Sequence, residues 1–581
     1  MTATLLDLPS RAFSFEQRET YLFTVVLSLV AVWFFLPGPA LGADAAPAGS
    51  SGVTAPSPAD AAPSGDSTSQ PQRFYIRKFR VDGTRGINGA PPILSRAEVE
   101  AVIYPFMGPY RTNQDVEDAR AALERAYQAK GYQTVSVQTP DQSMTDVLKK
   151  GVIVLKVTQM PVGRLRVVGS RYYLPSDIKA QAPSLAEGSV PNFNEVTKDI
   201  VSLNQLPDRQ VTPALHPGIT PGTIDFDLNV KDKLPLHGSV EVNNRYSADT
   251  TPLRLTASMD YDNLWQLGHS ISATYQVAPE DPRDAQVFSG SYLARIPGLS
   301  WLSFLLYGLK SDSDVSTIGS TNVAGRGDVI GGRMLISLPA DKGFFQSISL
   351  GVDYKKFDQV VSFGGTSTST ETPVTYFPLS ATYSATWQGG DGSLTQLDSG
   401  VTLNLRGVAG SSEVAFDEDR YGASGNFIYF RGDLSRMQPL PKDFQLYGKV
   451  QAQLADEALV SSEQVSGGGL DTVRGYLESE EIGDNGMIGQ FEARTPSLGQ
   501  FYPAVIDDWR IYVFGDAAEL GLNNTLPQQQ TTFNLASIGF GSRIKLFDHC
   551  NGSADVAMPL ITGADTVADH WRITLRAEAT F

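Results

Sequence analysis

The sequence predicts two small α+β modules followed by an all-β membrane barrel of about 16 antiparallel strands. Three observations predict it. Two successive units repeat one order of strands and helices; the rest of the chain alternates with period 2 and both faces are systematic; and the last strand ends on an aromatic residue in register with its own apolar stripe.

Composition excludes several classes first. The 581 residues carry a formal net charge of −17, which opposes nucleic-acid binding, since that depends on Lys and Arg neutralising phosphates. One cysteine, Cys550, permits neither a disulfide framework nor a thiolate metal cluster within the chain. The five histidines show no ligand spacing such as HExxH, so no metal site is expected. No phosphate-binding loop or nucleophile elbow occurs, and nothing points to an enzyme or a cofactor. Outside the N-terminus no apolar run reaches the roughly 18 residues that a spanning helix needs.

Residues 1–42 read as a signal peptide, with the apolar core "YLFTVVLSLVAVWFFL" at 21–36 behind Arg11 and Arg18. Small residues near Ala40 and Gly42 place cleavage after Gly42. An uncleaved anchor is the alternative, and the core is short for one. Residues 43–72 are Ala, Pro, Ser and Gly with almost no large apolar side chain, hence a linker.

The first module is placed at 73–159. "FYIRKFRVDG" alternates as a strand, and a helix starts at Ser95 with Glu98 three positions on. "NQDVEDARAALERAYQAKG" is a second amphipathic helix ended by Gly131, followed by the strands "YQTVSVQTP" and "GVIVLKVTQ". The second module, 160–233, repeats the order with "GRLRVVGS", "LPSDIKAQA", "NFNEVTKDIVSLNQL", "RQVTPALHP" and "GTIDFDLNVKD". This grammar resembles the POTRA domain, a periplasmic module found ahead of outer-membrane barrels. A pair of generic α+β domains would read similarly; the position before a barrel favours POTRA.

After Leu234 helices are expected to stop, and 234–581 should form the barrel. In "QLYGKVQAQL", Leu446, Val450 and Leu454 share one face while Tyr447, Lys449 and Gln453 share the other. A half-buried soluble sheet also alternates, but so many segments with a polar second face suit a wall between lipid and water. Short turns such as Ile296–Ser300 alternate with longer polar connections such as Ser311–Arg326. In "WRITLRAEATF", Trp571, Ile573, Leu575 and Phe581 form one stripe, which resembles the C-terminal insertion signal of outer-membrane barrels.

One long segment, about 455–486, fits neither strand nor helix and contains "GGGLDTVRGY". Gly467, Gly468 and Gly469 let it bend back into the lumen. Val473, Arg474, Gly475 and Tyr476 match the VRGY motif of the two-partner secretion transporters, the ShlB/FhaC/HecB-type exporters related to BamA-type assembly factors. In that superfamily an aspartate of an F-x-D motif holds the arginine; Phe514 and Asp516 match it here. Period 2 along "DDWRIYVFGD" independently turns Asp516 to the lumen. "LNQLPDRQV", "VNNRYSADTTPLR" and "YDNLWQLGHS" extend the resemblance over 73–581.

The resemblance implies an outer-membrane pore whose periplasmic modules capture an unfolded partner exoprotein for secretion without ATP. Outer-membrane lipid and, during biogenesis, the barrel-assembly machinery are its other implied partners. A BamA-like insertase is the alternative; a passive porin would have no use for two periplasmic modules. Family members often carry a barrel-plugging N-terminal helix, for which the Pro- and Gly-rich 43–72 is poorly suited.

Overall fold

The computed structural model describes residues 73–142, 150–313, 315–318, 321–324, 326–362, 369–408 and 410–581. The signal peptide at 1–42 and the linker at 43–72 lie outside the described residues. The described chain divides into two compact units between Pro235 and Leu236.

The first unit holds both modules. In the first, Ser95 caps the helix Arg96–Ile103: its Oγ accepts from Glu98 N at 3.3 Å while Glu98 accepts from Ser95 N at 2.7 Å. The helix Asn113–Ala129 begins with the same reciprocal pairing between Thr112 and Asp115. Val116, Ala119, Leu123 and Tyr127 line its buried face, spaced three or four apart as one side of a helix requires. That face packs on a three-stranded sheet in which Val152–Gln159 lies between Lys78–Asp82, parallel, and Val135–Gln138, antiparallel. The single strand expected at "FYIRKFRVDG" is broken at Arg77. Its first part, Phe74–Ile76, pairs instead with Gly108–Arg111, a strand whose Gly and Pro hid it from pattern reading.

The second module places Ile224–Asp232 between Val162–Val168, parallel, and Arg209–Pro217, antiparallel. The helices Pro175–Ala180 and Phe193–Leu203 bury Ile178, Val196 and Leu203 against this sheet. The modules meet end to end. Phe193 N donates to Gly131 O at 2.8 Å, and Asn192 Nδ2 donates to Lys130 O at 3.1 Å, so one helix start caps the other helix's end.

Acid stability of the first module follows from its caps. The backbone N–H of Thr112 holds the Asp115 carboxyl below its usual range, with partial burial opposing and the Thr112 hydroxyl and Arg111 assisting. A carboxylate depressed in the folded state contributes stability above its unfolded pKa and loses it as pH falls through the folded value. Asp115→Asn should therefore weaken the module at neutral pH and flatten its acid limb below about pH 4. Hydrogen exchange of the Asn113–Ala129 amides across pH reads this.

The second unit is a closed antiparallel barrel. The strands run Leu236–Asn243, Arg254–Leu264, His269–Val277, Ala285–Arg295, Leu302–Ser313, Arg326–Ser337 and Phe344–Ser362. Next come Ser369–Tyr376 and Leu379–Gln388, which pair with Phe344–Ser362 in one register, Lys355 opposite Tyr376 and Val352 opposite Leu379. They are one strand interrupted at Pro378, which has no N–H to give the ladder. The wall continues through Leu394–Asn404, Phe427–Pro439, Gln445–Ala455, Asn485–Arg494, Ile506–Gly521, Thr532–Leu546, Cys550–Pro559 and Arg572–Thr580. Counting the interrupted pair once gives 16 strands.

Burial is inverted relative to a soluble sandwich. Leu306, Ile330, Val352, Leu454, Val513 and Ile573 stand exposed on the outside, whereas Asp353, Gln453, Glu492 and Asp516 are buried within. Lipid on the outside and a polar interior account for both. Trp265, Trp301, Phe345, Phe444, Tyr502 and Phe547 are exposed at the short turns of one end, as an interfacial aromatic girdle requires.

The seam joins Arg572–Thr580 to Leu236–Asn243, from Arg576 opposite Asn243 to Thr580 opposite Ser239. Phe581 extends it: its N donates to Gly238 O at 2.9 Å and its O accepts from Gly238 N at 3.0 Å. A Cβ on Gly238 would fall 2.3 Å from the Phe581 ring, so glycine there leaves room for the ring in this position. Trp571 packs on Phe540 at the strand's other end, ring centroids 6.3 Å apart.

One expectation fails outside the wall. Helices do not end with the modules, because Glu413–Asp419 forms one in a long connection. Ser412 caps it and Phe416 buries against Tyr376, but two turns are too short to show a period. The connection expected at Ser311–Arg326 is a long one and carries a β-hairpin of Val315–Ile318 and Thr321–Ala324, while its end residues Ser311 and Arg326 belong to the wall strands Leu302–Ser313 and Arg326–Ser337.

Candidate functional site

Between the strands Gln445–Ala455 and Asn485–Arg494 the chain turns inward rather than out into solvent. A short ladder of Val465–Gly467 with Glu481–Gly483 holds its two arms together. Val473 and Tyr476 at the tip are buried with Ile488, Ala518, Leu520 and Leu535 of the wall.

Arg474 sits at the bottom, 2% exposed. Its Nε donates to Asp516 Oδ2 and its Nη2 to Asp516 Oδ1, both at 2.7 Å, a two-pronged pairing. Its backbone N reaches the same carboxylate at 3.1 Å. Nη1 donates to Glu492 at 2.6 Å and lies 3.7 Å from Asp555. The guanidinium carbon stands 3.6 Å from the centroid of the Phe514 ring, a cation–π contact that complements the in-plane hydrogen bonds. Thus Phe514 and Asp516, two residues apart on one lumen-facing side of Ile506–Gly521, hold one cation by face and by edge.

Arg494 and Arg543 reach Glu492 at 2.6 and 2.9 Å, and the Tyr512 hydroxyl donates to Asp555 at 2.7 Å. Three arginines therefore face three carboxylates, which lets so many charges stay buried. Glu492 and Asp555 belong to no motif in the sequence. Lumen-facing parity is the one signal each carried.

Gly475 has φ +93°, and a Cβ there would lie 3.0 Å from the Ala557 Cβ, so the motif's glycine answers both a backbone and a space requirement. The Tyr476 hydroxyl donates to Ile561 O at 2.6 Å and contacts Ala536 O at 3.0 Å, pinning the tip to the strand Thr532–Leu546 and to the chain just past Cys550–Pro559. Higher up, Arg245 bonds Asp471 at 2.6 Å and Glu478 at 2.8 Å, and Arg420 pairs with Asp484 at 2.7 Å. A polar cavity of about 460 Å³ adjoins the tip, lined by Leu470, Glu492, Arg494, Arg543, Asp555 and Arg576.

Comparison with known proteins meets this geometry. The family described as haemolysin secretion/activation protein ShlB/FhaC/HecB matches residues 364–544, and the ShlB-type POTRA domain matches residues 74–159. Over these residues the chain matches the ShlB/FhaC/HecB family. It is a two-partner secretion transporter of the outer membrane, with its POTRA domains in the periplasm. The transporter is similar to the outer membrane transporter CdiB of Dickeya dadantii, 21% identical over 77% of this chain and 78% of that one. Among solved structures it resembles CdiB from Escherichia coli, with TM-score 0.58, 17% identity, and coverage of 97% of this chain and 98% of that one. BamA from Haemophilus ducreyi lacking POTRA domains 1–3 gives TM-score 0.53 at 12% identity over 88% of this chain and 100% of that one, a likeness of fold alone.

Proposed function

We propose that the transporter captures an unfolded partner exoprotein at the second POTRA module and passes it through the barrel, with the segment 455–486 as the internal gate. Arg474 with Asp516 sets the gate's resting position. The observation that carries this is a fully buried arginine, on a loop tip, bonded to wall strands rather than to solvent.

Capture uses the sheet edge. Arg209–Pro217 pairs on one side with Ile224–Asp232, and its other side has no partner strand among the described residues. Such an edge binds an extended segment through backbone hydrogen bonds, with little demand on sequence. Beside it lies a groove of about 260 Å³ against the helix Phe193–Leu203, lined by Val196, Ile200, Val201, Ala214, Leu215 and Phe226. Alternate side chains of an added strand can enter it. Leu215 and Val201 are exposed there, an apolar surface awaiting cover. Leu215→Asp should keep the module folded and weaken cargo binding about tenfold, the cost of losing one buried leucine contact; cargo pull-down on the full chain reads it.

The chain carries no nucleotide-binding motif, so folding of the cargo outside the cell supplies the pull by removing exported chain from the equilibrium. Trp571 and Phe581 serve as the insertion signal for the barrel-assembly machinery, and the apolar outer face meets outer-membrane lipid. Depletion tests the export reading: loss of an exporter removes one secreted protein from the medium, whereas loss of an insertase lowers many barrels at once.

A further inference from the structure

The arm that leads from the wall down to the tip is anchored by a second buried charge. Glu463 is 1% exposed, yet it lies on the inward-folded segment, ahead of the short ladder. Its Oε1 accepts from Lys355 Nζ at 2.5 Å and from the Tyr376 hydroxyl at 2.7 Å, and its Oε2 accepts from the Tyr429 hydroxyl at 2.7 Å. The Glu463 backbone carbonyl takes Gln453 Nε2 at 3.1 Å and Arg431 Nη2 at 3.2 Å. Just before it, Leu459 and Val460 bury in a cluster with Phe416, Phe427 and Tyr429. A fully buried carboxylate is tolerable only with such a set of donors.

The donors identify the sector of wall. Lys355, Tyr376 and Tyr429 come from Phe344–Ser362, Ser369–Tyr376 and Phe427–Pro439. The carboxylates that hold Arg474 come from Asn485–Arg494, Ile506–Gly521 and Cys550–Pro559. No strand is shared. The Arg245 and Arg420 pairs hold the tip and the returning arm, and Glu463 fixes the leading arm to a sector of wall that the Arg474 carboxylates do not share.

We propose that Glu463 is a positioning residue for the closed channel, a second latch that fixes the arm of the gate to Lys355, Tyr376 and Tyr429 independently of Arg474. The inference rests on the reading of 455–486 as the gate. Opening then requires the Glu463 latch to release as well as Arg474 and the pairs that Arg245 and Arg420 make with the same segment, and the Glu463 latch alone retains part of the closure. The neutral isostere Gln at 463 offers one acceptor oxygen and places an amide donor among three donors, so the latch loosens without a change of volume.

Conductance of the purified full-length chain in planar bilayers tests this, with the heat-modifiable gel shift of a folded barrel as control. Glu463→Gln and Lys355→Met should each raise the fraction of time open about tenfold while the gel shift persists, and the double variant should open no further than the stronger single. Lys355→Met reads the latch from the wall side should Glu463→Gln fail to fold. Combining Glu463→Gln with Arg474→Ala should exceed either change alone. Wild-type conductance in both latch variants, with Arg474→Ala still opening the channel, would overturn the second latch and leave the gate reading intact. Wild-type conductance in Arg474→Ala as well would remove the gate, and Glu463 with it. Strict addition of the Glu463 and Lys355 effects would mean that the two act separately, against the latch.

Discussion

Arg474→Ala is expected to abolish secretion of the partner exoprotein while the barrel still inserts and still shifts on heating. The side chain is the common partner of Asp516, Glu492 and Asp555, and its removal leaves Asp516 buried without a cation, while Glu492 keeps Arg494 and Arg543 and Asp555 keeps the Tyr512 hydroxyl. Stranding a buried charge by deleting its partner costs about 3–5 kcal/mol, more than a loop tip can absorb, so the tip leaves its seat. The barrel wall does not depend on it, because its ladder of backbone hydrogen bonds closes through Arg576 to Thr580 on Ser239 to Asn243. Arg474→Lys should fall between: it keeps the charge but cannot fork onto both Asp516 oxygens while reaching Glu492 and stacking on Phe514. Immunoblots of medium and of outer membrane separate export from insertion. Normal export by an inserted Arg474→Ala barrel would take the loop out of the mechanism.

What the sequence carried was whatever depends on local rules. Period 2 assigns Met487, Val513 and Ile573 to the lipid side and Asp516 to the lumen, and their burial divides the same way. The capping box at Ser95 was legible because it needs only Ser and Glu three apart. Glu492 and Asp555 escaped notice because nothing in a strand's own sequence tells which lumen-facing acid lies beside a loop arriving from elsewhere. Glu463 was hidden for the same reason: its partners stand 34 to 108 positions away along the chain. Pro378 reads as a breaker, and only the register opposite Val352 and Lys355 tells that the strand resumes in step.

The same charge arithmetic predicts an asymmetry between the partners. Asp516→Ala should be the milder lesion, because Arg474 keeps Glu492 at 2.6 Å, Asp555 at 3.7 Å and the face of Phe514. It loses the two-pronged bond and the backbone contact at 3.1 Å, about 1.5–3 kcal/mol for each hydrogen bond to a charged group before the remaining acids compensate. Arg474→Ala has no such reserve. The double variant should accordingly be more stable than Arg474→Ala alone, since it removes the one acid that Arg474→Ala leaves without a cation, and the two changes should be strongly non-additive. Thermal gel-shift midpoints of the four proteins measure the coupling. If the midpoints fall by equal amounts for the two single changes and sum in the double, Arg474 and Asp516 act without each other, and the three-acid seat is not what holds the tip.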